Sequence, residues 1–431
     1  MATCTRKEYR NQVIYSVFVR NYSQEGTFEA VRRDLDRIQS LGVDMIWLMP
    51  IHPLGEKGRK GVLGSPYAIR DYRAVNPEFG TVEDFRRLVD EIHSRGMKCI
   101  IDVVYNHTAP DSWLAENHPE WFYHKPDGSF GNRIGDWTDI IDLDYSRPGL
   151  WDYQIETLKQ WATIVDGFRC DVASLIPLEF WLKARREVEK VHPGCFWLAE
   201  SVEPGFILDN RARGLVCLSD SEIFQAFDAA YEHDVFDSYM GYLNGETPLW
   251  RYAEDITRQE HTYPDNYVKL RFLENHDRQR IRSLVRNQRK LRNWTAFLYF
   301  QKGMTLLYNG QEAEADHQPS LFDKDAINWQ TGADLSAYLR RLYWLKKDPI
   351  FIDSRYTVTA LEDTLLAIHE KDDQKVMGLF FLGQVPETVE VSVPDGEYEN
   401  LATGQKLQIV DGHTAPTGDP IILIVPSADT K

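Results

Sequence analysis

Gly167-Phe-Arg169-Cys-Asp171-Val-Ala173 is a short apolar run that delivers a carboxylate at its end. Three other stretches share the design: Cys99-Ile-Ile-Asp102-Val-Val-Tyr-Asn106-His107, Cys195-Phe-Trp-Leu-Ala-Glu200 and Leu270-Arg-Phe-Leu-Glu-Asn-His276-Asp277. Each reads as a buried strand whose C-terminal end carries acids or an imidazole. Acids in an apolar strand are costly unless paired or used. Four such ends in order point to one shared site.

Working outward, strand-like and helix-like segments alternate, the pattern of βα units around a parallel sheet. Strands are expected at Val13–Arg20, Asp44–Pro50, Met97–Tyr105, Val165–Asp171, Cys195–Glu200, Ile223–Ala230, Tyr267–Asn275 and Thr305–Tyr308. Helices are expected between them, including Phe28–Leu41, a Thr81-capped helix ending before Gly96, and Leu150–Thr163. About eight units over roughly 350 residues fit an α/β fold, a (β/α)8 TIM barrel with insertions. The reading assigns residues 1–106 and 148–350 to this barrel. Residues 107–147, too long for an ordinary βα loop, form a short excursion domain after strand three. Residues 351–431 switch to short alternating segments and read as a C-terminal antiparallel β-sandwich.

The 431 residues carry 49 Lys plus Arg against 66 Asp plus Glu, a formal charge of −17. That balance argues against nucleic acid or an anionic membrane surface as partner. No run of about 18 apolar residues suggests a membrane span, and the N-terminal residues lack the apolar core of a signal peptide. The five cysteines (Cys4, Cys99, Cys170, Cys195, Cys217) are odd in number and scattered, so free thiols in the cytoplasm are the expectation. The 12 Trp and 21 Tyr stack on sugars or fill cores equally well, and composition does not choose.

Arg169 and Asp171 lie two apart on a strand and so face the same way. The guanidinium favours an ionised Asp171, as a nucleophile requires. Glu200 follows Phe196-Trp-Leu-Ala199, surroundings that raise a carboxyl pKa. One acid kept protonated beside one kept ionised is the pair that cleaves glycosidic bonds. Asp277 adds a second anion, and His276 and His107 add donors for sugar hydroxyls. Asp102 sits mid-run and reads as a brace for Arg169. Each element has a bland reading: an ion pair, a cap, a loop histidine. Their conjunction in barrel order favours a site.

These segments resemble the four conserved regions of the α-amylase family, glycoside hydrolase family 13. Asp102-Val-Val-Tyr-Asn106-His107 matches the first, Gly167-Phe-Arg169-Cys-Asp171 the second, Glu200 the third and Asn275-His276-Asp277 the fourth. Gly64-Ser65-Pro66-Tyr67, Asp142-Leu143-Asp144 and Tyr308-Asn-Gly-Gln311-Glu312 resemble further family segments. The resemblance implies Asp171 as nucleophile, Glu200 as general acid/base and Asp277 as transition-state stabiliser, with Tyr67, His107, Arg169 and His276 lining the subsite. It implies retaining cleavage of α-1,4-glucosidic bonds in starch-derived maltodextrins, with no organic cofactor. Asn106 and Asp144 fall at two of the family's calcium-ligand positions; a calcium ion or simple loop hydrogen bonds are both open for them.

Departures keep alternatives open. Many endo-acting members carry Lys-His shortly after the nucleophile, where this chain has Val172-Ala173-Ser174-Leu175. That run looks more like the neopullulanase and cyclomaltodextrinase branch. An α-glucan transglycosylase, an α-1,6-active glucosidase and, remotely, a non-catalytic carbohydrate-binding relative are the competing readings.

Overall fold

The computed structural model describes residues 5–134, 137–391 and 393–425; Cys4 lies outside the described residues. Eight strands close into a barrel: β1 Val13–Val17, β2 Met45–Leu48, β3 Lys98–Val103, β4 Gly167–Cys170, β5 Phe196–Ala199, β6 Ala229–Tyr231, β7 Lys269–Arg271 and β8 Met304–Tyr308. Every neighbouring pair is parallel, in the order β1-β8-β7-β6-β5-β4-β3-β2. Apart from Lys98, the residues of these strands are buried, which is why they read as near-continuous apolar runs. The register sets Asp102 of β3 directly beside Arg169 of β4.

The surrounding helices follow from local rules. Val82–Ser94 begins at a capping box in which Thr81 and Asp84 satisfy each other's backbone N–H groups, and Gly96 turns the chain away at φ +75°. Its apolar face, Phe85, Leu88, Val89 and Ile92, is buried. The helix expected over residues 28–41 is two helices, Phe28–Arg33 and Leu35–Ser40. Between them the Asp34 carboxylate accepts from Tyr22 and, at 2.8 Å, from Arg37. The strand expected at Ile223–Ala230 is a larger correction. Asp220–Ile223 is a helical turn with a Ser219–Glu222 capping box, and helical bonds carry on through Phe224 and Phe227. Only Ala229–Tyr231 joins the barrel, because a short apolar run does not by itself distinguish helix from strand.

Between β3 and β4 the excursion is held by a two-stranded ribbon, His107–Thr108 against Ile141–Asp142. Beyond the barrel, β9 Arg355–Leu361, β10 Thr364–Lys371, β11 Gln374–Phe381 and β12 Ile421–Val425 form an antiparallel sheet. Its strands alternate as the pleat requires. Leu365, Ala367, Val376 and Phe380 join the barrel's core, while Met377, Leu379, Phe381 and Leu423 build a second core with Val391 and Ile409. Two small ribbons, Val389–Glu390 with His413–Thr414 and Gly396–Glu399 with Lys406–Ile409, cover that second face. Among the described residues, no helix is long and apolar enough to cross a membrane.

The sheet docks through aromatic packing: Phe380 lies 5.2 Å from Phe297 and 5.4 Å from Phe300, ring centre to ring centre. Thr257 adds hydrogen bonds to both backbone groups of Val358, each 2.9 Å. Phe380→Ala should therefore weaken the barrel and the sheet together, by about 3–5 kcal/mol, in one cooperative transition followed by circular dichroism in urea. Two well-separated transitions in the parent protein would contradict this coupling.

Candidate active site

The C-terminal ends of β3, β4, β5 and β7 meet at one cavity of about 300 Å³ that contains Tyr67, His107, Asp171, Glu200 and Asp277 on its lining. Arg169, wholly buried, occupies its floor. One Nη1 donates to Asp102 Oδ1 at 2.8 Å and to Asp171 Oδ1 at 2.9 Å. Its Nη2 lies 2.9 Å from Glu200 Oε1, and Nε donates to the Tyr231 hydroxyl at 3.2 Å. The guanidinium also stands over the rings of Trp47, Tyr67 and Tyr231, at 5.1 to 5.7 Å. Two sequence-adjacent expectations thus become one constellation.

Asp277 and His276 come from the segment after β7. His276 Nε2 is 3.0 Å from Asp277 Oδ2 and 2.6 Å from the Tyr67 hydroxyl, which in turn donates to Asp102 at 3.2 Å. Tyr67 and His276 stack with centres 5.5 Å apart. His107 is buried, and burial pushes its pKa down to about 4, so it is neutral. Asn106 Nδ2 donates to its Nδ1 at 3.2 Å, which places the ring proton on Nε2.

Protonation departs from the simple expectation for Asp171. Burial raises its pKa, and although Arg169 opposes this, nearby Asp102 and Asp277 add to the rise, leaving it at about 6. Burial likewise lifts Asp102 to about 6 and raises Glu200 above its usual range. Asp277 behaves differently. Burial would raise it too, but its side chain is 44% exposed to the cleft and the His276 charge prevails, holding it down at about 2. Asp277 is therefore ionised near neutral pH.

The sequence reading missed three contributors. Tyr231 ends β6, and the misplaced strand at Ile223–Ala230 stopped one residue short of it. Trp47 lies mid-strand within Asp44–Pro50, where nothing in the sequence marks it. Val172 adopts φ +35°, ψ +45°, a left-handed conformation that is costly for a β-branched residue. The strain aims its N–H at Glu200 Oε2, 2.7 Å away. Strain of this kind has no signature in residue type.

Asn106 and Asp144 line a second cavity of about 300 Å³, beneath the excursion, together with Asp142 and Arg133. Calcium takes 6–8 oxygens, and here a guanidinium shares the acids. The Arg133 guanidinium lies 3.8 Å from Asp142 and 3.9 Å from Asp144, and donates to Leu143 O at 3.1 Å. Arg147 donates to Asp144 at 3.2 Å. Among the described residues, no group of three or more His, Cys, Asp or Glu side chains is placed to hold a metal. A fixed cation of the chain faces Asp144, one of the two residues for which calcium was left open.

The solved α-amylase of Lactobacillus plantarum is 46% identical, with a TM-score of 0.95 over 97% of this chain and 100% of that one. A noncanonic maltogenic α-amylase of Thermotoga neapolitana is 30% identical, with a TM-score of 0.84 over 97% and 99%. An α-1,4-glucan:maltose-1-phosphate maltosyltransferase of Myxococcus xanthus is 31% identical over 59% of this chain, which spans only 39% of that relative's length. The family model for the bacterial α-amylase C-terminal domain matches residues 356–423. The model for the α-amylase catalytic domain matches residues 12–129 and 110–350, more than half the chain, and the protein belongs to the α-amylase family.

Proposed function

We propose that this protein hydrolyses α-1,4-glucosidic bonds of maltodextrins with retention of configuration. The observation that carries the reading is the pair Asp171 and Glu200, held on the two Nη atoms of one guanidinium with the Asp277 anion facing the open cleft. Two carboxyls sharing one guanidinium suit a double displacement, which needs them about 5–5.5 Å apart. Asp171 attacks the anomeric carbon while Glu200 gives its proton to the departing glycosidic oxygen. Asp277 stabilises the oxocarbenium-like charge between the two events. Glu200, now ionised, takes a proton from water, whose oxygen displaces Asp171 and restores the α-configuration. Tyr67 and the Nε2–H of His107 hold the sugar ring. The described cysteines are free and buried, which suits a reducing, cytoplasmic setting.

Transglycosylation is the second reading, favoured by the maltosyltransferase among the relatives. Both share the covalent intermediate and part only at the acceptor. Chromatography of products from maltotriose decides: shorter sugars alone support hydrolysis, and longer ones in quantity would replace it with transfer. Asp171→Ala should lower turnover by about 10⁴-fold or more, with azide restoring cleavage as a β-glycosyl azide. A variant retaining a tenth of the parent rate would overturn the nucleophile assignment.

The pH profile has a definite sign. Asp171 must be ionised to attack, so kcat/KM should fall tenfold per unit as pH drops below about 6. Loss of the Glu200 proton sets the alkaline limb. Asp102→Asn removes a like charge that raises Asp171, so the acid limb of this variant should move down. An acid limb near 4 in the parent would contradict the arrangement.

We further propose that Arg133, without a metal ion, secures the excursion. Exhaustive EDTA treatment should leave Tm and rate unchanged, while Arg133→Ala should cost about 1 kcal/mol, since the guanidinium is partly exposed. A Tm that falls on chelation and returns with calcium would overturn this.

A further inference from the structure

Opposite Glu200, the mouth of the barrel is walled by three loops tied to one another. Leu63 and Gly64 N–H groups, in the loop after β2, donate to Phe322 O in the loop after β8, at 2.9 and 3.1 Å. Val62 N–H donates to Asp323 at 2.8 Å. Arg20, buried just beyond β1, donates from Nη1 to Gly64 O at 2.9 Å and Leu321 O at 3.1 Å, joining all three. The contact is close enough to require glycine: a Cβ on Gly61, at φ +64°, would fall 2.6 Å from Phe322 Cβ. From this wall Lys60 reaches over the mouth to the excursion and pairs with Asp139 at 3.0 Å. Asp139 is buried beside Trp137, whose ring tilts against His107. Lys60, Phe322, Trp137 and Asp139 line the same cavity as Asp171 and Glu200.

The strand order says which end of a substrate meets this wall. In a closed ring of eight, β5 stands across from β1, and β2 and β8 flank β1. Glu200 ends β5, so a leaving chain protonated by Glu200 departs on that side. The sugar retained on Asp171 must then extend toward the loops after β1, β2 and β8. A cavity of about 300 Å³ is at the small end for ligand sites, about 300–1,000 Å³. It suits a short saccharide that ends there rather than a chain passing through.

We infer that the Lys60–Asp139 ion pair and Phe322 terminate the glycone side, so that glucans are cut from their non-reducing ends, releasing a short unit. The inference rests on the hydrolase reading above. Lys60 and Asp139 present a donor and an acceptor to the terminal sugar's hydroxyls, and Phe322 with Trp137 supplies the apolar walls.

The test compares maltoheptaose with maltoheptaose capped at its non-reducing end by a 4,6-O-benzylidene group. The parent protein should cut the capped chain about a hundredfold more slowly, and should release one short product from the free chain at early times. In Lys60→Ala/Phe322→Ala the capped-to-free rate ratio should rise about tenfold or more. Asp139→Asn, which breaks the ion pair without changing volume, should move the ratio the same way if the double variant fails to fold. Capped and free chains cut by the parent at rates within about threefold, a difference under 1 kcal/mol, would overturn the inference while leaving the hydrolase reading intact. So would a folded variant with an unmoved ratio. If neither chain is cut, the hydrolase reading itself fails, and this one with it.

Discussion

A single guanidinium, Arg169, with no exposed surface, is shared among Asp102, Asp171 and Glu200. Taking such charges out of water costs several kcal/mol per ion, and only close, multiply bonded partners offset that. Each Nη of Arg169 has a carboxylate at 2.8–2.9 Å, and Nε has Tyr231. The aromatic rings of Trp47, Tyr67 and Tyr231 enclose what remains. The barrel can carry acids at its mouth because this cation is fixed beneath them.

The cations present do not balance all the acids. Asp102, Asp171, Glu200 and Asp277 face Arg169 and His276, and burial penalises every unpaired charge. Protons are therefore held more tightly than in water by the three carboxyls closest to the floor. The outermost, Asp277, is solvated by the cleft and paired with His276, and it alone of the four is depressed. This gradient from floor to cleft separates the duties of the acids. Asp277 is kept ionised, while Asp102, Asp171 and Glu200 all hold protons more readily than a free carboxyl.

The periphery of the site works by constraint rather than charge. Val172, strained into the left-handed region, orients an N–H toward Glu200. Asn106 fixes the tautomer of His107 from the next position in the chain. The loops after β1, β2 and β8 are locked together through backbone carbonyls, and Lys60 closes the gap to the excursion. These are contacts between segments far apart in sequence, and they shape what the chemistry is offered.

The barrel is legible in apolar runs at βα spacing, and its strand-end residues stand out because an acid closing an apolar strand is costly unless used. The strand ends and the family resemblance put Asp171, Glu200, Asp277, Tyr67, His107, Arg169 and His276 in one site; in the structure Tyr67, His107, Asp171, Glu200 and Asp277 line one cavity, and Arg169 and His276 contact that lining. Periodicity failed where the run was short and ambiguous, at Ile223–Ala230, and with it went Tyr231. The remainder depends on contacts between distant segments. The protonation of Asp171 depends on burial and on Asp102 and Asp277, not on its neighbour Arg169 alone. Arg133 meets Asp142 and Asp144 only because the excursion folds back on itself. The wall opposite Glu200 joins Gly64 to Phe322 across some 260 residues of chain. Local pattern encodes which face is buried; it carries no record of which distant loop will close over it.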